Sequence, residues 1–250
     1  GFPCQSFSHA GKRGGFNDTR GTLFYNVAEF IKVNQPACFI LENVKGLLSH
    51  DNGKTYQTIT DVLTNGGGTL NGQMGMDTIE DGLGYHVYTK VLNTKDYGIP
   101  QNRERIFIVG FKYWRTFNFP VKLPLKLKLK DMLQDNPNSK YILSEKMLKY
   151  IFTPSKGDWK SGKMTIDTNI AKCINARVFL MGRADTDNYI TVEDKIRRLT
   201  PLECWRLQGF LDEEFYKAQK VNSDTQLYKQ AGNSITVNVM TAILKKIYLS

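Results

Sequence analysis

The sequence predicts an α/β fold in which helices cover a sheet. Apolar residues recur at helical spacing in residues 22–32 and 54–63. Short apolar runs typical of strands fill residues 37–41, 85–92 and 105–111. Along the chain these elements follow the order helix, strand, helix, strand, strand, a pattern typical of a sheet packed against helices.

The first helix and the first strand are the clearest elements. Between residues 22 and 32 the apolar side chains at helical spacing are Leu23, Phe24, Val27, Phe30 and Ile31. Residues 37–41 follow as an unbroken apolar run, which is typical of a strand buried on both faces. That run stops at Glu42, so a carboxylate is expected at the carboxyl end of a strand, the edge where open α/β sheets place their sites.

Later elements are predicted from local patterns. The helix predicted over 54–63 is followed by a glycine-rich insertion at 65–82. The segment Thr200–Glu203 predicts a helix that begins with a capping box and has proline at its first position. Residues 235–248 predict a last amphipathic helix.

Regular alternation of helix and strand is lost after residue 112. We therefore predict a catalytic domain over 1–112, a smaller domain over 113–210 and a return to the catalytic domain over 211–250. Within the small domain, lysines alternate with leucines over 122–130. We interpret this alternation as a half-buried strand with a solvated lysine face; the alternative is a strip that contacts phosphates.

Composition and charge restrict the function classes. The 250-residue chain carries 34 lysines and arginines against 24 acidic residues, a net charge of +10, which favours a nucleic-acid partner. No apolar stretch approaches the roughly 20 residues that cross a bilayer, and no secretory signal is present, so we expect a cytoplasmic protein with no membrane partner. The four cysteines include no CxxC pair, and their spacing suits neither a disulfide framework nor a zinc site, so we expect a reducing compartment.

Five segments carry residues that could do chemistry, although each has a purely structural alternative. Cys4 lies in a Pro-Cys-Gln tripeptide, and Glu42 ends the first strand. Residues 101–105 form a charged turn, 198–210 include the capped helix, and 230–234 form a glycine–asparagine turn. Taken singly, they could be a buried thiol, a solvated strand end, a set of local ion pairs, a helix cap and a turn.

In this order, the segments resemble the DNA (cytosine-5) methyltransferases of bacteria and phages. The matching stretches are GFPCQSFS (1–8), LENVKGLLSHDNGKT (41–55), VLNTKDYGIPQNRERIFIVGF (91–111), RLTPLECWRLQGF (198–210) and QAGNSITVNV (230–239). The resemblance implies a Rossmann-like methyltransferase sheet with a smaller, irregular, mostly β target-recognition domain. It also implies methyl transfer from S-adenosylmethionine to carbon 5 of a cytosine flipped out of double-stranded DNA.

The resemblance further implies a covalent mechanism. Cys4 would be the thiolate that adds to carbon 6 of the base, because carbon 5 alone is too poor a nucleophile. Glu42 would hold a proton at ring nitrogen N3, and Asn43 would fix the geometry of the strand end. Arg105 and Arg103 would contact the base oxygen and hold Glu42 in place.

Contacts with the cofactor and with the flipped base are also implied by the resemblance. The positions that match cofactor-lining residues of the family are Pro3, Leu23, Asn233 and Ser234. Ser8 and the glycine-hinged loop Gly11–Gly21, which includes Arg20, would close over the flipped cytosine.

Residues 171–190 resemble the core of the family's recognition domain. Arg177, Arg183 and Asn188 are candidate DNA contacts there, and each could instead be structural. Cys173 stands where the family commonly has a threonine, so one expected polar contact is in question.

The family's N-terminal Phe-x-Gly-x-Gly turn and the acidic residues that bind its cofactor are not found in this sequence. We therefore expect the N-terminal strands of the sheet to be missing, in a truncated product or in a chain that works with a separate N-terminal methyltransferase half. A cognate restriction endonuclease acting on the same DNA site is another expected partner. The alternative functions are an inactive DNA-binding remnant and an RNA cytosine-5 methyltransferase.

Overall fold

The computed structural model describes residue 2 and residues 23–65, 82–152, 165–180, 183 and 186–249. Four residues predicted to act at the site, Pro3, Cys4, Ser8 and Arg20, lie outside the described residues, as does the interior of the glycine-rich insertion.

Contacts within the chain define two compact units. Unit 1 comprises Gly1–Leu92, Glu104–Phe119 and Ser250. Unit 2 comprises Asn93–Arg103 and Pro120–Leu249. The α/β character predicted from the sequence is confirmed.

Unit 1 contains a three-stranded sheet and two helices. The strands lie in the order β1 (Cys38–Val44), β4 (Glu104–Phe111) and β2 (His86–Asn93). The helices are α1 (Leu23–Asn34) and α2 (Lys54–Leu63). All five elements occur where the sequence predicts them, and α2 begins and ends at the predicted residues.

The core of unit 1 follows the predicted periodicities. Buried side chains lie three or four residues apart on the two helices and alternate along β1, whereas Ile106–Phe111 of β4 are all buried. The core includes Phe24, Ala28, Ile31, Leu41, Ile59, Val62, Ile106 and Ile108. Between β1 and β4, Phe39 lies opposite Gly110. A Cβ at Gly110 would come within 2.1 Å of the Phe39 ring, so the ring occupies space that only glycine leaves open.

Strand β1 extends past the end that the sequence predicts. It continues through Glu42 to Val44 because β4 runs antiparallel beside it, with Val44 opposite Arg105. Buried residues alternate with partly exposed ones along β1, so one face is buried rather than the two that were predicted. Main-chain pairing decides where this strand ends, and the loss of apolar character at Glu42 does not.

Unit 2 is helical towards its carboxyl end and mostly irregular elsewhere. Its helices are α3 (Glu145–Phe152), α4 (Pro201–Arg206), α5 (Asp212–Gln219), α6 (Asp224–Asn233) and α7 (Val237–Leu249). Its strands are β3 (Gln101–Asn102), β5 (Ala171–Lys172), β6 (Tyr189–Val192) and β7 (Lys195–Arg198). Strand β3 pairs in parallel with β5, and β6 pairs antiparallel with β7. Among the described helices, none is long and apolar enough to cross a membrane.

Helix α4 begins as its capping box predicts. The hydroxyl of Thr200 accepts a hydrogen bond from the main-chain N–H of Glu203 at 3.3 Å, and the Glu203 carboxylate accepts one from the Thr200 N–H at 2.7 Å. The same carboxylate forms an ion pair with Arg197 at 2.8 Å, and the two side chains are only 0% and 2% exposed. A helix cap and a buried ion pair therefore share one glutamate.

The two units divide the chain differently from the predicted domains. Residues 211–249 group with residues 120–210 because α4 packs against α5 and α6 around a shared core. The predicted functional division into a catalytic and a recognition domain stays a prediction.

The lysine–leucine alternation does not form a strand. Residues 121–128 are irregular, and Lys126, Lys128 and Lys130 are exposed, as are Leu123 and Leu127. The predicted half-buried strand is wrong because no described strand pairs with this segment. Its Leu123 N–H instead donates a hydrogen bond to the Asp96 carbonyl at 2.9 Å.

Candidate active site

Two of the predicted site residues form an ion pair in unit 1. The Nε atom of Arg105 on β4 lies 3.1 Å from Oε1 of Glu42 on β1. Glu42 lies opposite Phe107 and Arg105 opposite Val44, which makes the two charged residues diagonal neighbours on the strand pair. The Arg105 and Glu42 side chains are 17% and 16% exposed, so a ligand can reach the pair.

Asn43 connects this strand to the N-terminal segment of unit 1. Its buried side chain donates from Nδ2 to the carbonyl of Phe2 at 3.3 Å, and its Oδ1 accepts from the Val44 N–H at 2.8 Å. Phe2 is buried as well, and its ring meets Phe24 of α1 edge-on with centroids 5.4 Å apart. The residue two positions before Cys4 is therefore held by the immediate neighbour of Glu42.

Arg103 has different partners from Arg105, although only one residue separates them. Within unit 2 its guanidinium donates to the carbonyls of Ile174 at 2.6 Å, Ser234 at 2.8 Å and Gly232 at 3.2 Å. Its side chain is buried. Arg103 thus joins two distant segments of unit 2, and a base contact of the predicted kind would compete with these bonds.

Asn233 and Ser234 lie at the end of α6. The Ser234 hydroxyl donates to the Gln230 carbonyl at 2.6 Å, and Asn233 is exposed. At the preceding Gly232, a Cβ would come within 2.2 Å of the main chain at Asn175, so glycine is required for this close approach. The helix end that carries two predicted cofactor residues is therefore tightly packed. Leu23 is the third described residue that is predicted to contact the cofactor. It begins α1 in unit 1 and is 37% exposed.

The three described cysteines differ in their surroundings. Burial raises the pKa of the Cys38 thiol, and it raises the pKa of the fully buried Cys204 well above the ordinary value. Both thiols are therefore poor sources of thiolate. Cys173 is partly exposed in unit 2. Among the described residues, no group of His, Cys, Asp or Glu could hold a metal ion.

The candidate DNA contacts in residues 171–190 include both exposed and buried side chains. Arg177 and Arg183 are exposed. Asn188 is buried, and its amide binds the main chain of Lys172 in both directions, accepting from N–H at 2.8 Å and donating to the carbonyl at 3.3 Å. The Asn188 side chain thus binds the protein's own main chain, which is the structural role given above as the alternative to a DNA contact.

Gln101 is a linking residue that the sequence analysis placed in a charged turn without giving it a role. Its side chain is fully buried; Nε2 donates to the Leu207 carbonyl at 2.6 Å, and Oε1 accepts from the Ile174 N–H at 2.8 Å. Both partners are more than 70 residues away, since the separations are 106 and 73 residues. No local spacing pattern could have indicated them.

Comparison with known sequences gives a match along nearly the whole chain. The family model described as C-5 cytosine-specific DNA methylase matches residues 1–71 and 76–249. Type II methyltransferase M.SsoII of Shigella sonnei is 38% identical over 261 residues, covering 99% of this chain and 62% of that protein. Type II methyltransferase M.HpaII of Haemophilus parainfluenzae is 40% identical over 273 residues, covering 99% of this chain and 70% of that protein. The chain thus spans about three fifths of M.SsoII.

Solved structures share the fold. A methyltransferase of Entamoeba histolytica has a TM-score of 0.71 at 17% identity, covering 99% of this chain and 75% of that one. The Dnmt2 methyltransferase of S. pombe has a TM-score of 0.69 at 18% identity, covering 99% and 76%. The α/β fold is therefore the Rossmann-like fold of methyltransferases.

Proposed function

Because the chain belongs to the C-5 cytosine-specific DNA methylase family, we propose that it methylates carbon 5 of a flipped cytosine in a specific double-stranded DNA sequence, with S-adenosylmethionine as the methyl donor. The observation that carries this proposal is the accessible Glu42–Arg105 pair on adjacent strands. Beside it, Asn43 holds the segment that leads to Cys4. A carboxylate and a guanidinium side by side match the donor and acceptor groups on one edge of cytosine.

Cys4 is the proposed nucleophile. Its thiolate adds to carbon 6 and forms a carbon–sulfur bond, and the electrons of the 5,6 double bond make carbon 5 nucleophilic. The sulfonium of S-adenosylmethionine supplies the methyl group when that cofactor is bound. After methylation a base removes the proton from carbon 5, the double bond forms again, and the Cys4 thiolate leaves.

Glu42 is proposed to control the proton at ring nitrogen N3. Thiolate addition increases the electron density on the ring, and a carboxyl group hydrogen-bonded to N3 stabilises that density. Donation of a hydrogen bond to N3 requires a proton on the Glu42 carboxyl group. Arg105 also orients the carboxylate and is proposed to contact the base oxygen.

The described cofactor residues have side chains that suit S-adenosylmethionine. Leu23 offers an exposed apolar surface for the adenine, and Asn233 offers an exposed amide for polar groups. Ser234 donates its hydroxyl proton to Gln230 and keeps its oxygen lone pairs as acceptors. Together with Pro3, these residues are proposed to line the cofactor.

Sequence selection is proposed to belong to residues 113–210. Arg177 and Arg183 are exposed there and suit phosphates or the base edges of the major groove. Ser8 and Arg20 are proposed to close over the flipped base. A cognate restriction endonuclease is a proposed partner because the relatives are named Type II methyltransferases. The cytoplasm of a bacterium, with a chromosomal or phage gene, is the proposed location.

The function can be tested by trapping the covalent intermediate. Duplex DNA containing 5-fluorocytosine is incubated with the chain and S-adenosylmethionine, and the denatured protein is analysed by mass spectrometry. Fluorine at carbon 5 is not eliminated, so attack by Cys4 leaves a permanent bond. The Cys4→Ser variant should form no adduct, whereas Cys38→Ser, which changes a partly exposed cysteine of β1, should form it normally.

The assay is run with and without the part of M.HpaII that this chain does not cover. An adduct at Cys4 in either reaction supports the proposed function, and an adduct only with the added part supports a separate N-terminal half as partner. If both reactions bind duplex DNA without an adduct, the protein is an inactive DNA-binding remnant. An adduct with RNA but not with duplex DNA would assign an RNA substrate.

A further inference from the structure

We infer that Lys45 binds a phosphate that flanks the flipped cytosine, and that Lys45 exchanges Glu104 for this phosphate when DNA binds. This inference rests on the proposed function, which supplies the flipped nucleotide. In unit 1 the Nζ atom of Lys45 lies 3.1 Å from Oε2 of Glu104. Neither residue has a role in the mechanism above, so the phosphate contact extends the candidate site.

Lys45 and Glu104 lie at the sheet edge that carries the candidate active site. Lys45 follows the last residue of β1, and Glu104 is the first residue of β4. The register of this strand pair, continued by one residue, places Lys45 opposite Glu104. Glu42 precedes Lys45 by three residues, about 10 Å at the rise of a strand. Side chains alternate between the faces of a strand, so the ion pairs of Glu42 and Lys45 lie on opposite sides of one edge.

Arg105 contacts both glutamates of this edge. Its Nε lies 3.1 Å from Oε1 of Glu42, and its Nη1 donates to the Glu104 carbonyl at 2.8 Å. The strand end that carries Glu104 is therefore held close to the proposed proton donor. An anion that replaces the Glu104 carboxylate at Lys45 binds next to the group proposed to hold the base.

The flipped nucleotide brings phosphates to this edge. One sugar joins the base to each flanking phosphate, so a base held at Glu42 keeps those phosphates within a nucleotide's length of the strand ends. Lysine and arginine are common partners of DNA phosphates. Of the two cations here, Lys45 has the more accessible side chain, 57% exposed against 17% for Arg105. A phosphate can therefore reach Lys45 without displacing the Arg105–Glu42 pair.

The pair between Lys45 and Glu104 is suited to exchange. The two side chains are 57% and 44% exposed, and water screens such charges so that the pair adds little stability. A DNA phosphate acts together with its charged neighbours along the strand, so it attracts an ammonium group more strongly than a single solvated carboxylate does. Without DNA, Glu104 keeps the ammonium at the strand ends; with DNA, the phosphate takes its place.

The exchange has opposite consequences for the two residues. Removing the positive charge of Lys45 weakens DNA binding, because a phosphate loses its partner. Removing the negative charge of Glu104 strengthens DNA binding, because Lys45 no longer has to leave a carboxylate. A purely structural ion pair would respond in one direction, since the loss of either partner breaks the same contact.

The test measures the rate of adduct formation on 5-fluorocytosine duplex DNA as the DNA concentration is raised. It uses the condition, with or without the added part of M.HpaII, that gives the Cys4 adduct. Lys45→Gln should raise the half-saturating DNA concentration by about 10-fold, as expected for the loss of a hydrogen bond between charged groups. The slope of log K against log salt should become less steep by about 0.9. Lys45→Arg keeps the charge and should stay close to the wild type.

Glu104→Gln should lower the half-saturating DNA concentration by about 2–5-fold, the range of an exposed ion pair. In the Lys45→Gln background the same change should have less effect, because no ammonium remains to be released. An equal effect in both backgrounds would show that Glu104 repels DNA directly and would overturn the exchange.

Lys32→Gln is the matched control. Lys32 is an exposed lysine in the last turn of α1, and that helix leads to the amino end of β1, whereas Glu42 lies near the carboxyl end. Its half-saturating concentration and salt slope should equal those of the wild type. A loss as large as that in Lys45→Gln would assign the effect to total charge and overturn the inference. Circular dichroism confirms that each variant is folded.

A second measurement locates the phosphate on the DNA. Neutral methylphosphonates replace, one at a time, the two phosphates that flank the trapped cytosine. One replacement should raise the half-saturating concentration of the wild-type chain and have no further effect on Lys45→Gln. If both replacements weaken the two proteins equally, Lys45 binds neither phosphate and the inference is wrong.

The outcomes separate this inference from the proposed function. A Cys4 adduct with equal half-saturating concentrations in wild type and Lys45→Gln would overturn the phosphate contact alone. If Lys45→Gln lowers the maximal rate at an unchanged half-saturating concentration, Lys45 acts on the chemistry and not on a phosphate, which also overturns it. Duplex DNA binding without any adduct would overturn the proposed function, and the inference with it.

Discussion

The two units each contain a glutamate–arginine pair, and the pairs differ in how far their side chains are exposed to solvent. Glu42 and Arg105 form an ion pair of 3.1 Å and remain 16% and 17% exposed. Glu203 and Arg197 form two bonds of 2.8 and 2.9 Å at 0% and 2% exposure, and both Glu203 oxygens accept a further main-chain N–H. The more exposed carboxylate is the one proposed to act on a substrate.

Burial explains why the same two side-chain types can serve different ends. A buried ion pair stabilises its surroundings only when nearly every donor and acceptor is satisfied, because each charge has lost its hydration. A partly solvated pair pays a smaller desolvation penalty and can rearrange when a ligand arrives. Changing each glutamate separately tests this contrast.

The largest expected effect is the loss of activity in Glu42→Gln. Without the proton donor at N3, the rate of methyl transfer should fall by about 10²–10⁴-fold. The free energy of unfolding should change by about 1 kcal/mol or less, because the ion pair is partly solvated. Transfer of labelled methyl groups and urea unfolding measure the two quantities. A stability loss as large as the activity loss would make Glu42 structural and break the comparison.

In unit 2, Glu203→Gln should lower the free energy of unfolding far more than Glu42→Gln does. The amide nitrogen would face the donors of Arg197 and leave that charge buried without a counter-ion, lowering the free energy of unfolding by about 3–5 kcal/mol. Urea unfolding measures the loss. The double variant Arg197→Met/Glu203→Met, which removes both charges, should be less destabilised than the single one. A loss below about 1 kcal/mol in Glu203→Gln would contradict this account.

Thr200→Ala removes the helix cap together with the hydrogen bond that the hydroxyl donates to Oε1 of Gln134 at 3.2 Å, and it should have a smaller effect. The variant removes the hydroxyl that accepts from the Glu203 N–H, but it keeps the carboxylate and Arg197 in place. Loss of such a cap lowers stability by about 1 kcal/mol. Thr200→Ser is the control and should retain most of the stability in thermal melts. An equal loss in both variants would assign the effect to packing of the threonine methyl group.

The smallest effect is expected at Arg206 and Asp212, a more exposed pair with 26% and 40% of the side chains accessible. The hydrogen bond from Arg206 lowers the pKa of Asp212. The stabilisation is therefore complete above the unfolded value of about 3.9 and is lost as pH falls through the lower folded pKa. Asp212→Asn should be less stable than wild type by under about 1 kcal/mol at pH 7. In urea unfolding this difference should shrink below about pH 4; a difference that stays constant with pH would exclude the ion pair as its cause.

Local elements could be predicted because their causes are local. The spacing of apolar residues fixes both ends of α2, and the capping box at Thr200 fixes the start of α4. The lysine–leucine alternation of residues 122–130 led to the wrong prediction of a strand, because a strand also needs a neighbouring strand to pair with. For the same reason the predicted end of β1 at Glu42 was wrong.

The side-chain contacts of the site could be predicted less well from the sequence. Arg103 and Arg105 are two residues apart, which would place both on one side of a continuous strand. The strand is interrupted at Arg103, between β3 and β4. The Arg103 guanidinium therefore donates to carbonyls of unit 2, whereas Arg105 forms an ion pair with Glu42. The Arg197–Glu203 pair carries no spacing pattern that separates it from other charged residues.

The partners of Arg103 impose an order on folding during synthesis. The Ser234 carbonyl lies 131 residues later in the chain, and ribosomes at roughly 5–20 residues per second need on the order of 7 to 26 s to reach it. Until then unit 2 lacks one of the carbonyls that bind this guanidinium, although the Ile174 carbonyl is made 71 residues after Arg103. Almost all of unit 1 has been translated once Phe119 is added. The nascent chain therefore contains the three strands of unit 1 well before the C-terminal helices of unit 2.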